Sequence, residues 1–399
     1  MAYYIGIDFG NVNTFPSFIM DMNLQTRRGG TPLSLLPAET GYNAGIPTTY
    51  HVAMRAGRLV ETLGLPASTA SPAKNRRNLL KRRFQKSETI DGHLVKYDEV
   101  ITKMIEHIVR IANRTMQQNY RQTSNEIALA YPVEFTHAQM QHLINLAEKA
   151  TLEDGRHVKV AGTIREPAAA ALAYLGSIKT TKQDYSVLVY DLGGGTFDVA
   201  SVSAHLQGNV RNGSVEYYDV HGFDGAQLGG AEFDEAMLRL FITKSRYTPT
   251  GNRYELWRRE AENCKISLSD PQTNAVYPEL FNADDEPLDV SITRAEYEGA
   301  IRPLVQKTVD LTVNLLKQPN IPQPDLILLT GGQSQTPLIQ RMLAEALPAY
   351  KDKIIIYMPQ QAISFGAARF GALEAARPEP PITPEPARGG RPAPRVTRS

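Results

Sequence analysis

The chain has 399 residues, enough for two domains at about 100–200 residues each, and 42% hydrophobic content with 29 Gly and 26 Pro excludes wholesale disorder. With 43 Lys+Arg against 42 Asp+Glu, the net charge of +1 excludes a globally basic nucleic-acid binder and an acidic solvating protein. The single cysteine, Cys264, excludes an internal disulfide framework and suits a reducing compartment.

Tyr3 to Ile7 reads as a short strand running into a glycine turn, with no leader-like start. No run of about 18 apolar residues offers a membrane helix, so a cytoplasmic protein without membrane attachment is expected. From Val100 to Met116, Ile101, Met104, Ile105, Ile108, Ile111 and Ala112 share one helical face. Glu126 to Tyr131 reads as a buried strand closed by Pro132, followed by a helix over 136–150 capped by Thr136. Pro167 heads an alanine-rich helix, where proline is tolerated. From Tyr185 the pattern restarts: two strands flank a triple-glycine turn, and Asp325 to Thr330 is a further buried strand before a helix over 336–347. A strand–Asp–Gly-turn–strand unit thus occurs near residue 8 and again near residue 191. This weak repeat predicts an α/β protein of two similar lobes, 1–184 and 185–377. The last stretch, 378–399, has seven prolines and four arginines and reads as a disordered tail.

The two turns, GIDFGNVNT (6–14) and DLGGGTFD (191–198), suit phosphate, which needs backbone N–H donors with no Cβ in the way. Phosphate arrives with Mg²⁺, a hard cation that keeps several waters and accepts one or two carboxylates. Asp8 and Asp191, each beside its turn, would face one another across an interlobe cleft as a metal–phosphate clamp. The plainer alternative makes both aspartates turn-formers. TGGQSQTP (330–337) adds a third strand–glycine–helix junction, a ready anion site. Glu166, before a proline-started helix, either orients a metal's water or is an ordinary helix-start acid.

Lys74 to Lys86 holds seven basic residues and no acid. It reads either as a patch for an acidic partner or as a solvated helix face with Arg77 or Lys74 turned to phosphate; without interleaved aromatics, nucleic-acid binding is not expected. His137, His142 and His221 lack metal-ligand spacing. Met54, Met104, Met116 and Met140 read as core fillers, and Trp257 as packing in the second lobe.

With these segments in this order, the chain resembles the nucleotide-binding domain of the 70-kDa heat-shock protein chaperones, within the actin-like ATPase superfamily. The resemblance runs from about residue 3 to 373 and rests on DLGGGTFDVA (191–200), EPAAAALAY (166–174), LGGAEFDEAML (228–238) and YPVEFTHAQ (131–139). It implies a two-lobed actin-like ATPase fold of duplicated ribonuclease-H-like domains, binding ATP or ADP with Mg²⁺. By that resemblance Asp8, Glu166 and Asp191 would hold Mg²⁺, mostly through water, with Thr196 and Asp198 near the γ-phosphate and attacking water. Gly193, Gly194 and Gly195 would cradle phosphate. Glu262, Lys265 and Ser269 would meet the nucleoside, Gly229, Gly230, Gly331 and Gly332 would line the nucleotide, and Pro132 would be the hinge proline.

Departures from the family pattern are equally specific. The first phosphate loop is Gly10-Asn11-Val12, lacking two hydroxyls that would touch phosphate or metal. The family's catalytic lysine lies seven residues before the phenylalanine of its arginine-rich run; counting back from Phe84 gives Arg77. Arginine keeps the charge without the compact ammonium. Gln335 replaces the adenine-stacking arginine, Gln360 an aspartate near the nucleoside, and Met140 the hinge proline's arginine partner. The chain also reaches its tail where family members continue into a client-binding domain.

The expectation is a monomeric, slow, Mg-dependent ATPase acting as a nucleotide-dependent switch, with Asp198 orienting water and a co-chaperone or separate client-binding protein as partner. The alternatives are a non-hydrolysing nucleotide-binding scaffold and a filament-forming actin-like protein.

Overall fold

The computed structural model describes residues 4–19, 32–35, 45–78, 80–178, 180–207 and 214–375; the tail expected at 378–399 lies outside them. The first half comprises β1 (Ile5–Asp8), β2 (Asn13–Ile19), β3 (Pro32–Ser34), β4 (Ile46–Pro47), β5 (Tyr50–Arg55), β6 (Arg58–Leu63), α1 (Leu65–Thr69), β7 (Arg76–Arg77), β8 (Ser87–Ile90), β9 (His93–Lys96), α2 (Tyr97–Tyr120), β10 (Glu126–Tyr131), α3 (His137–Glu148), β11 (Lys159–Arg165) and α4 (Glu166–Leu175). Two strand hairpins, β5–β6 and β8–β9, decorate it.

The second half runs β12 (Asp184–Leu192), β13 (Phe197–Gln207), β14 (Ser214–Ala226), α5 (Gly230–Ser245), α6 (Gly251–Ser267), the short strands β15 (Ala275–Val276), β16 (Leu280–Phe281), β17 (Pro287–Leu288) and β18 (Ile292–Thr293), α7 (Arg294–Leu316), β19 (Leu326–Thr330), α8 (Pro337–Ala346), β20 (Ile354–Ile356) and α9 (Ala362–Ala375). Thr136 caps α3 and Thr293 caps α7, each in a reciprocal capping box.

Two mixed sheets result. One has the order β11-β10-β1-β2-β3, with β4 also on β2; the other is β14-β13-β12-β19-β20. In each, a leading strand pairs antiparallel on one side and parallel on the other: β1 with β2 and β10, β12 with β13 and β19. That shared pattern is the structural form of the weak sequence repeat.

Period-2 alternation divides the side chains between three cores. On β10, Ile127 and Leu129 face the outer core of the first sheet, whereas Ala128 and Ala130 face inward. On β12, Leu188, Tyr190 and Leu192 join the outer core of the second sheet, and Val187 and Val189 face inward. Between the sheets lie α4 and α9, packed against each other. Helix α9 covers β1, β2, β10 and β11; α4 touches β12, β13 and β14. Trp257 is buried in the second outer core, and Met104 and Met116 in the first. Met54 is not a core residue, because it sits 55% exposed near the tip of the β5–β6 hairpin.

The inner helices approach at backbone distance. A Cβ on Gly366 would lie 1.8 Å from the Ala169 carbonyl oxygen, and one on Gly6 2.1 Å from the Ala368 nitrogen. Ser17 and Ser364 hydroxyls, 2.6 Å apart, tie β2 to α9. Arg369 of α9 is buried and lies against Gly176 at the C-terminus of α4. Burial lowers its pKa from the usual arginine value, and the helix's C-terminal carbonyls favour its charge. Gly366→Ala is expected to force α4 and α9 apart and destabilise by about 1–3 kcal/mol, read as a lower thermal midpoint with no change of secondary structure.

Candidate functional site

Asp8 ends β1, and Asp191 sits one residue from the end of β12. Asp198 lies directly opposite Asp191 across the β12–β13 pair, and Glu166 is the first residue of α4. These four carboxylates converge. Burial, then the Glu166 charge, raises the Asp8 carboxyl to about 7; the same two causes, with Asp8 added, raise Asp191 to about 7. Asp198 is pushed well above the carboxylate range by burial, Glu166 and Asp191. Like charges placed opposite one another in a sheet are destabilising, so their convergence points to a cationic ligand or a reaction rather than to fold maintenance.

The cation among them is Lys81, whose Nζ lies 2.5 Å from Glu166 Oε1 with both side chains 10% exposed. Burial opposes its charge, but Glu166 and then Asp8 outweigh that, and its pKa rises above the usual lysine value. Counting along the sequence points elsewhere. Arg77 lies in β7 beside Tyr50, where its guanidinium binds Glu88 and the carbonyls of Lys74 and Arg76. Arg77 is therefore committed outside the cleft, and Lys74 is an exposed partner of Asp91. The basic run is no helix face: two 3₁₀ turns, Ala73–Asn75 and Leu80–Arg83, flank β7. Buried Leu80 anchors the second turn in the first outer core, so Lys81 reaches Glu166 and Arg82 donates to the Gly195 carbonyl. Nothing in the spacing of KNRRNLLKRRFQK separates Lys81 from its neighbours; the anchoring leucine before it is the one usable signal.

The glycine turns meet. Gly10 closes tightly, since a Cβ there would be 2.0 Å from the Asn13 carbonyl oxygen. Gly193 N–H bonds Thr196 O, leaving Gly194 and Gly195 N–H groups without a backbone acceptor among the described residues. Gly194 faces Val12, whose Cγ2 would be 2.6 Å from a Cβ at residue 194. Gly331, at φ +80°, backs onto Leu192 O and Asp191, where only glycine fits.

Gly229 and Gly230 have a packing reason as well. The Gly230 and Ala231 N–H groups bond the Gly193 and Gly194 carbonyls at 2.9 and 3.0 Å, so the start of α5 braces the triple-glycine turn. Lys265 is buried and pairs with Asp234 at 2.7 Å, joining α6 to α5. Ser269 donates to Lys265 O, Glu262 is exposed, and Gln335 is exposed with its amide on Gly332 O. Met140 takes a hydrogen bond from Thr163 through its sulfur at 3.4 Å.

A cavity of about 380 Å³ is lined by Asn11, Glu166, Thr196 and Asp198 together with Lys81, Arg82, Lys86, Glu134 and Gln139. Asn11 Oδ1 is buried there without a partner. The oxygen donors Asp8, Asp191 and Glu166 suit a hard cation. Among the described residues no three acidic, His or Cys side chains are close enough to hold an ion directly.

The sequence profile of a family described as Hsp70 protein matches residues 80–378. The chain belongs to the Hsp70 family. It is 28% identical over 388 residues to the chaperone protein DnaK of Metamycoplasma hominis, covering 94% of this chain and 59% of that protein. It is 27% identical to DnaK of Mycoplasma mobile, covering 92% of this chain and 58% of that one. It is 33% identical over 288 residues to a ribosome-associated molecular chaperone of Zygosaccharomyces rouxii, covering 69% of this chain and 42% of the relative. The chain thus spans little more than half the length of the two DnaK relatives. The two mixed sheets with paired inner helices agree with the actin-like ATPase fold of the Hsp70 family. No described helix is long and apolar enough to cross a membrane.

Lys265→Met is expected to strand a buried Asp234 carboxylate and destabilise by about 3–5 kcal/mol in urea unfolding, with Asp234→Asn in the same chain restoring most of the loss.

Proposed function

We propose that this Hsp70-family chain binds ATP with Mg²⁺ in the cleft between its two sheets and hydrolyses it slowly, as a nucleotide-dependent switch. The observation carrying this reading is the convergence of Asp8, Glu166, Asp191 and Asp198 around one buried lysine, beside turns with available N–H groups. Asp8, Asp191 and Glu166 would hold Mg²⁺ through its waters, and the ion would supply charge neutralisation at the phosphates. Asp198, beside Asp191, would orient the attacking water and accept its proton as the oxygen–phosphorus bond forms and the γ–β bridge breaks. The Gly194 and Gly195 N–H groups would stabilise charge on the transferred group. Thr196 lines the same cavity.

Glu262, Lys265, Ser269, Gly332 and Gln335 are proposed at the nucleoside. The lobes are proposed to divide near residue 184, where α4 leads into β12, and to move about the α4–α9 pair. The hydrogen bonds from Arg82 to Gly195 O and from Arg259 to Ser68 O at 3.2 Å join the two halves and would change with that movement. A cytoplasmic location and partnership with a co-chaperone or client-binding protein are proposals from the relatives' names as chaperones.

A second reading, nucleotide binding with little turnover, is favoured by Val12, which presents methyl groups to Gly194 instead of a hydroxyl. Single-turnover hydrolysis separates the two. Asp191→Asn is expected to cut the rate by about 10²-fold or more while ATP still binds. An unchanged rate would overturn the assignment, and binding without turnover in the unmodified chain would establish the second reading.

A further inference from the structure

We propose that Lys81 and Arg82, neighbours on the Leu80–Arg83 turn, are the cations that recognise the terminal phosphoryl group. In this role they replace both Arg77 and the hydroxyls missing from the Gly10–Val12 turn. The proposal rests on the nucleotide reading above and names the part of the cleft that distinguishes a triphosphate from a diphosphate.

Four observations carry it. Arg77 is tied to Glu88 and to two backbone carbonyls, and it does not line the cavity. Lys81 and Arg82 do line it, together with Asn11, Thr196 and Asp198. Lys81 lies at Glu166 and within the field of Asp8 and Asp198, the carboxylates expected around the reacting group. Arg82 donates to the carbonyl of Gly195 in the triple-glycine turn, while its Nε is buried without a partner. A buried guanidinium N–H that lacks an acceptor gains most from an anionic oxygen, and a guanidinium presents paired donors suited to phosphate.

The same cavity shares no wall with Gly332, Gln335, Lys265 or Glu262, the groups proposed for the nucleoside side. Lys81 and Arg82 therefore act on the far end of the polyphosphate. Phosphoryl oxygens would compete with Glu166 for the Lys81 ammonium, and Glu166, once released, would be free to accept from a metal-bound water. Binding of the terminal phosphate and assembly of the metal site are coupled through this one ion pair.

The test is calorimetric titration of the full chain with Mg-ATP and Mg-ADP, and with inorganic tripolyphosphate as a probe that lacks adenosine. Arg82→Gln leaves no buried charge behind and reads the proposal even where Lys81→Met folds poorly; circular dichroism monitors both. Lys81→Met and Arg82→Gln are expected to weaken ATP and tripolyphosphate binding by about tenfold or more while ADP affinity moves much less. Arg77→Met is expected to change none of the three. Loss of ATP preference in Arg77→Met, or its retention in Arg82→Gln, overturns the assignment. Should the unmodified chain bind tripolyphosphate but not ATP, the nucleotide reading fails, and an Arg82-dependent tripolyphosphate affinity still supports the cation pair. Should it bind neither, both fall.

Discussion

The cleft depends on how closely α4 and α9 cross. Residues with side chains no larger than methyl stand where the two helices meet: Ala169 presents its carbonyl where a Cβ on Gly366 would collide. Close crossing brings both sheets to the same two helices, so that β1 and β12 end near one another and their aspartates share a site. Larger residues on the inner faces would separate the sheets. The inward positions on β10 are accordingly Ala128 and Ala130, whereas the outer face carries Ile127 and Leu129. The first residue of α4 is Glu166, so the helix that sets the sheet spacing also delivers a carboxylate to the cleft. Architecture and chemistry are joined at one helix end.

Electrostatics then limits what the cleft can be. Four carboxylates in a buried space cannot all ionise without counter-charge, and Asp8 and Asp191 are accordingly raised to about 7. Lys81 offsets part of that repulsion through Glu166. A cluster so far from charge balance stabilises no fold, since well-packed apolar residues would do better in its place. Ligand charge is the natural completion, a divalent cation for the carboxylates and an anion for Lys81 and Arg82. The proposed metal–phosphate ligand would supply both signs at once.

Elements with a clean period were legible in the sequence. Helix α2 carries an unbroken 3.6-residue pattern, strand β10 is a short apolar run closed by Pro132 and α3 opens on its Thr136 cap; the structure extends α2 at both ends and ends α3 at Glu148. Helix α9 was not legible, because it is apolar nearly all round and holds Gly366 and Gly371, both costly to helix propensity. The two-residue strands β15 to β18 are too short to show any period. Aspartates beside glycine turns were legible as candidates because turn chemistry is local. The cleft lysine was not. Counting from a motif assumes that the intervening backbone is kept, whereas the Leu80 anchor turns this segment so that the residue after it enters the cleft.

Val12 and the cation pair make sense together. Its side chain is pressed against Gly194, so the space between the two turns is filled by methyl groups. Valine fills this contact and offers no hydroxyl to a ligand. Donors to a phosphate would then come from the N–H groups of Gly194 and Gly195 and from the Lys81–Arg82 wall of the cavity. Losing two hydroxyls at the first turn and placing two cations on the neighbouring turn are thus one rearrangement. Under the proposed assignment it would exchange neutral hydrogen bonds at the first turn for charge from the neighbouring one, and recognition of the terminal phosphate would depend on a segment that bonds both α4 and the triple-glycine turn.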